Sequence, residues 1–264
     1  MSELYFPQLG PGSLAQYPVA RTWSKAVGVN AMESGARVVM QSTAPARVCW
    51  KLQYSQLTDA EWAPLMSLFD TVHGRFGSFT FLDPSDNLLA YSEDFTAEIW
   101  TCDPPLQTIT GHVDPLGGES ATLLINTGQA PQRIMQSIAG PGWFTYCFSI
   151  YLRASAACPV DVIRANATLE SRRTVAVTKE WARFFSSGSL GGHDDGVRFG
   201  IELPPGASAL IFGAQVEAQP AAGPYKRTLN RSGVYPNSRF DQDVLADTVE
   251  AAGHSATLLV TSTY

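Results

Sequence analysis

The alternation of apolar and polar positions changes character along this chain, and the changes divide it. From Arg47 the pattern is strict: Val48, Trp50, Leu52 and Tyr54 alternate with Arg47, Cys49, Lys51 and Gln53, the period of a strand with one face in a core. Arg37 to Gln41 is a shorter strand candidate. The period then switches to that of a helix over about residues 58–73, where Trp62, Leu65, Phe69 and Val72 share one stripe. Thr58 and Glu61 have the spacing of a capping box, Leu57 can staple onto Trp62, Pro64 can offset the first turn, and Gly74 is a stop. Phe76 then leads into the alternation Phe79, Thr80, Phe81, which ends at the turn of Asp83 and Pro84.

From Leu88 onward the pattern is different. Short strand-like runs follow one another, broken by Gly and Pro turns, with no long helical period before about Lys226. Tyr146, Phe148, Ile150 and Leu152 form one face of such a run. Thr174–Thr178 and Trp181–Phe185 flank a turn, and Val197–Leu203 and Ala209–Glu217 flank Pro204 to Gly206. Regular strands with such turns predict a two-sheet sandwich. Residues 229–264 are too short to fold alone, yet Ala256, Leu258 and Val260 mark a clear strand over 255–262. That strand needs a partner sheet, and the strand near Val48–Tyr54 or Phe79–Phe81 is the expected one. The predicted fold class is mainly β: a β domain with one helix, residues 1–87 and 229–264, and an inserted sandwich, residues 88–228.

Composition narrows the function classes. Eighteen basic and 24 acidic residues give a net charge of -6, the wrong sign for a surface that grips nucleic acid. The apolar runs fall short of the ~20 residues that span a bilayer, so membrane insertion is not expected, and the start of the chain does not read as an export signal. Cys49, Cys102, Cys147 and Cys158 are scattered without the paired spacing of a zinc site and read as free thiols. The opening segment from Phe6 to Pro18 is rich in Pro and Gly and reads as an extended arm, with Phe6, Leu9 and Tyr17 as residues that can pack on a neighbouring copy or on the chain itself.

Candidate chemistry is sparse. Asp194 and Asp195, among Gly191, Gly192 and Gly196, suit a solvated hairpin tip or a loop that binds sugar hydroxyls or a cation. Glu93 and Asp94 are candidate oxygen ligands for a structural Ca²⁺, and no other cofactor is expected. Trp100, Trp143 and Trp181, with the tyrosines of the insert, are candidate sugar-stacking aromatics, core packing is the default for each, and exposure of Trp143, beside Gly140 and Gly142, is the observation that would decide it. Glu202 and Glu217 are the strand carboxylates to weigh for glycoside hydrolysis, with an ordinary surface role as the default. No catalytic motif stands in its required context, so an enzyme is not expected.

Two stretches carry a resemblance. The order Trp50, Leu52, Tyr54, then Leu57, Thr58 and Glu61, a helix ending at Phe69, then Gly74, Arg75, Phe79, Phe81, Asp83 and Pro84 resembles the N-terminal domain of phage distal tail and minor tail proteins, also found in gene transfer agents. The resemblance implies a ring, commonly a hexamer, linking tail tube to tip or baseplate, with further copies and the tube and hub proteins as partners. It implies assembly in the host cytoplasm and a place in the virion tail tip. The run Asn87 to Phe95, followed by Trp100, resembles the opening of carbohydrate-binding-module-like jelly rolls. That leaves three readings: a structural tail-tip ring protein with a peripheral sandwich, a receptor-binding module for host surface glycans, and a cell-wall or polysaccharide hydrolase.

Overall fold

The computed structural model describes residues 3–10, 12–41, 45–192 and 196–263. It divides into two compact units: unit 1 comprises Met1–Pro7, Ala15–Phe81 and Tyr235–Tyr264, and unit 2 comprises Gln8–Leu14 and Leu82–Val234. The chain is mainly β with one α-helix among the described residues.

Unit 1 begins with β1 (Ala20–Ser24), β2 (Val27–Ala31), β3 (Arg37–Gln41) and β4 (Arg47–Leu57), and continues through α1 (Asp59–Thr71) to β5 (Phe79–Leu82). The alternation in β4 is realised: Val48, Trp50, Leu52 and Tyr54 are buried, while Lys51 and Gln53 are exposed. At the start of α1 the Glu61 carboxylate accepts from both the Thr58 N–H, at 3.0 Å, and the Thr58 hydroxyl, at 2.8 Å. The hydroxyl thus donates to Glu61. The helix runs unbroken through Pro64, buries Trp62, Leu65 and Leu68, and leaves Phe69 half-buried against Phe240 at 5.2 Å. Gly74, at φ 62°, ends it by donating to the Phe69 carbonyl. Phe76 is exposed and the strand starts at Phe79.

Unit 2 supplies β6 (Trp100–Cys102), β7 (Gln107–His112), β8 (Ala121–Ile125), β9 (Gln132–Ala139), β10 (Tyr146–Arg153), β11 (Cys158–Ala165), β12 (Glu170–Val177), β13 (Ala182–Gly188), β14 (Gly196–Leu203) and β15 (Ser208–Glu217). They form two antiparallel sheets, in the orders β13-β10-β15-β8-β7 and β12-β11-β14-β9-β6. Consecutive strands repeatedly change sheet, as β9 to β10, β10 to β11 and β14 to β15 do, which makes a jelly-roll type of sandwich. Tyr146, Phe148, Ile150 and Leu152 face the second sheet, where Phe199 meets Tyr146 at 5.5 Å and Phe148 at 6.0 Å. Burial of such side chains stabilises by roughly 1.5–3 kcal/mol each.

The chain then adds β16 (Val234–Phe240), β17 (Asp247–Glu250) and β18 (Gly253–Thr263). β18 lies antiparallel on β4, pairing Ala256 with Tyr54, Leu258 with Leu52 and Val260 with Trp50, so the pairing expected for 255–262 is formed. The sheet order is β1-β4-β18-β16-β5, with β17 also on β18. Its core is aromatic: Trp50 meets Phe81 and Tyr235 at 4.7 Å each, and Phe240 meets Phe79 at 4.9 Å.

Candidate functional site

In unit 1 the feature that stands apart is the hairpin β2–β3. Its turn uses Gly35 at φ 83°, with the Gly35 N–H bonded to the Met32 carbonyl and the Met32 N–H to that of Ala36. Among the described residues, β2 and β3 pair only with each other. Val27, Val29, Met32, Val38, Val39 and Met40 are all exposed, Val39 by 65%. Nearby in sequence, Trp23 on the edge strand β1 is exposed as well, under the Arg21 guanidinium at 4.9 Å. Unit 1 also carries an open groove of about 790 Å³ lined by Tyr17, Gln53, Tyr54, Gln242, Val244 and Leu259.

The arm residues have separate fates. Phe6 is buried in unit 1 against Phe81 at 5.3 Å, and its N–H bonds to the Thr80 carbonyl. Leu9 is buried in unit 2, where Gln8 donates to the Thr145 and Ala218 carbonyls and accepts from the Thr145 N–H. Tyr17, 61% exposed, is the one of the three that faces solvent.

In unit 2, Trp143 stands 45% exposed on the loop after Gly142, edge-on to Phe144. Trp100 is buried, and Trp181 is half-buried. Asp194 and Asp195 lie outside the described residues. Glu93 accepts from the Tyr225 hydroxyl at 3.0 Å and pairs with Arg227 at 2.9 Å, while Asp94 accepts from the N–H and hydroxyl of Thr96. Among the described residues there is no group of three or more His, Cys, Asp or Glu side chains placed to hold a metal ion. Glu202 and Glu217 are held in ion pairs. Glu202 bonds Arg133 at 2.6 Å and Arg172 at 2.5 Å in a lattice that includes Glu170 and Asp161, and Glu217 bonds Lys226 and the Gly223 N–H. Each carboxylate thus has a structural partner.

Glu93 and Asp94 line a pocket of about 210 Å³, together with Tyr91, Glu119, Ser120, Thr122, Arg227 and Leu229. A bulge in β7, where the register shifts between Ile109 and His112 and Gly111 has φ 84°, brings Thr110 and Gly111 into its wall. Thr122 on β8 is fully buried, and its hydroxyl has no hydrogen-bond partner among the described residues. The bulge and the pocket were not legible in the sequence, since β7 and β8 meet only through the register of the sheet.

No protein-family model matches the chain, and no curated protein matches it. Solved structures do, along about half its length. They include the CBM22-1 xylan-binding domain from Paenibacillus barcinonensis Xyn10C (17% identity, 52% of this chain and 97% of that one, TM-score 0.44). TmCBM61 in complex with beta-1,4-galactotriose is similar at 13% identity (50% and 98%, TM-score 0.41). The enzymatically active domain of bacteriophage CBA120 tailspike protein 4 is similar at 11% identity (52% and 22%, TM-score 0.41). The likeness is that of a carbohydrate-binding-module-like β-sandwich, and the ligands in those names belong to those proteins.

Proposed function

We propose that the chain is a structural subunit of a phage tail tip, joined to further copies in a ring through unit 1, with unit 2 as a peripheral sandwich. The hairpin β2–β3 carries this reading. An isolated two-stranded hairpin is at best marginally stable in water, and this one exposes Val27 and Val29 on β2, Met32 in the turn, and Val38, Val39 and Met40 on β3. The register puts Val27, Val29 and Val39 on one face, and an exposed apolar face beside open strand edges is built to be covered. One patch meeting a different patch on the next copy closes into a ring. The resemblance of residues 50–84 to tail proteins supports the tail tip, and six copies, as the setting. On this reading the partners are further copies and the tube and hub proteins, and the site of action is the virion. The test is native mass spectrometry of the purified chain beside a Val29→Asp, Val39→Asp double variant. Wild type should give closed oligomers, and the variant should stay monomeric with an unchanged circular dichroism spectrum. Equal oligomer distributions, or a wild-type chain that stays monomeric at high micromolar concentration, would overturn the reading.

A second reading, recognition of surface glycans by unit 2, is favoured by the exposed Trp143 and by the pocket, whose lining combines apolar surface with hydroxyls and carboxylates. An aromatic face suits the apolar face of a sugar, and hydroxyls and carboxylates suit its edge. Binding of the full chain to a glycan array tests it, and an array with no signal above a denatured control would remove it.

A further inference from the structure

We infer that the pocket around Thr122 is a binding site for one ring of a neutral sugar, with the Thr122 hydroxyl as its deepest contact. The inference rests on the second reading above and gives it a location apart from Trp143.

Thr122 is the starting point. Its backbone lies in the ladder between β8 and β15, opposite Ile211, so its main chain is engaged in the sheet. Its side chain is fully buried, yet the hydroxyl finds no acceptor or donor among the described residues. A buried polar group left unpaired lowers stability, and valine would fill the same space without that penalty. Thr122 is one of the residues that line the pocket, and a ligand hydroxyl bound there would supply the partner its own hydroxyl lacks.

Charge selects the ligand. Glu93, Asp94 and Glu119 line the pocket against Arg227 alone, and Arg227 is already paired with Glu93. The negative surplus disfavours phosphate and carboxylate ligands. Metal binding is disfavoured by the bonds already made: Glu93 Oε1 takes the Tyr225 hydroxyl, Glu93 Oε2 takes Arg227, and Asp94 Oδ1 takes Thr96. The groups that remain include the Glu119 carboxylate and the hydroxyls of Thr110, Ser120 and Thr122, which suit a ligand that both donates and accepts at several points, as a sugar does. Size agrees. A volume of about 210 Å³ is below the range of pockets for drug-sized ligands and suits a single ring. The β7 bulge at Gly111 shapes one wall of the pocket, with Thr110 and Gly111 in its lining.

The experiment is saturation-transfer NMR on the full-length chain with methyl glycosides of glucose, galactose, xylose and N-acetylglucosamine, and with inorganic phosphate and calcium chloride as competitors. Wild type should bind at least one glycoside saturably at millimolar concentration, and neither competitor should displace it. Thr122→Val should melt at least as high as wild type and bind at least tenfold more weakly, and Glu119→Gln should weaken binding without changing the melt. A Thr122→Val chain with unchanged affinity would overturn this site while leaving glycan recognition elsewhere on unit 2 intact. No binding of any glycoside would overturn both. Displacement by phosphate or calcium would overturn the assignment of a neutral ligand.

Discussion

Replacing Asn87 by alanine should destabilise unit 2 more than its single amide suggests. Asn87 is fully buried, and its side chain makes four bonds to main-chain groups. Nδ2 donates to the Ala214 carbonyl at 2.9 Å and the Lys226 carbonyl at 3.2 Å, and Oδ1 accepts from the Leu89 and Val216 N–H groups at 3.0 Å each. Alanine strips all four of a partner at once. With a net value of about 1 kcal/mol per buried bond, the loss comes to roughly 4 kcal/mol. In a domain of this size that corresponds to a drop of about 8–16 °C in Tm. Asn87→Asp keeps the two acceptor bonds but aims a carboxylate at two carbonyl oxygens, and should lose at least as much. Urea unfolding followed by hydrogen exchange, read on peptides covering 87–92, 214–217 and 225–229, gives both the magnitude and the place. A loss below about 1 kcal/mol, with the Leu89 and Val216 amides still protected, would show that these bonds are redundant and refute the reasoning.

Two further outcomes follow from chemistry elsewhere. His254 has Nδ1 2.7 Å from Asp247 and Nε2 2.9 Å from Asp59, and stacks on Trp62 at 5.4 Å. The bond to Asp247 first, and that to Asp59 second, raise its pKa above the ordinary imidazole value. A raised folded pKa means that the contribution is complete below the unfolded value of about 6.5 and is lost as pH rises through the folded one. Thermal melts of unit 1 should therefore fall as pH rises above about 6.5, and His254→Gln should flatten that slope; an equal slope in the variant would refute it. Cys147 is buried, and burial first, then the Glu217 charge, pushes its thiol up to about 11. Iodoacetamide at pH 8 should leave it unmodified in the native chain and alkylate it in urea, as peptide mass spectrometry would show; native alkylation would contradict this burial.

The parts of the fold that were legible are those in which one strand or helix carries its own pattern. The β4 alternation from Val48 to Tyr54, the Thr58–Glu61 helix start and the Ala256–Val260 strand all depend on period and local bonding, and all appear in the structure. Tyr146 to Leu152 reads the same way. What escaped depends on company. Val27 to Ala31 has no alternation that sets it apart, because both faces of the hairpin are exposed and neither was selected for a core. Only the turn at Gly35 signals it. Phe6 and Leu9 share one Pro- and Gly-rich run, and composition cannot tell that their side chains go to the cores of different units. The unpaired hydroxyl of Thr122 is a property of the cavity around it. In the sequence it is one threonine among the apolar residues of a strand.

The incoming and outgoing segments of unit 2 run side by side in opposite directions. Asp83 and Asn87 bond Gly233, Tyr91 bonds Leu229 and Ser92 bonds Thr228, each through the main chain. Tension applied between the two ends of this stretch would load those bonds one after another, starting at Asp83, as a zipper opens. It would not load them together, as in a shear joint. The root would part first at Asp83, and the load would then reach β15 through the bonds of Asn87 to Ala214 and Val216. When the pull ended, the same few bonds would re-form from an intact sandwich. Under repeated loading, unit 2 would behave as a recoverable hinge, and the force needed to open it would be set by Asn87 and its neighbours, with no contribution from the aromatic core.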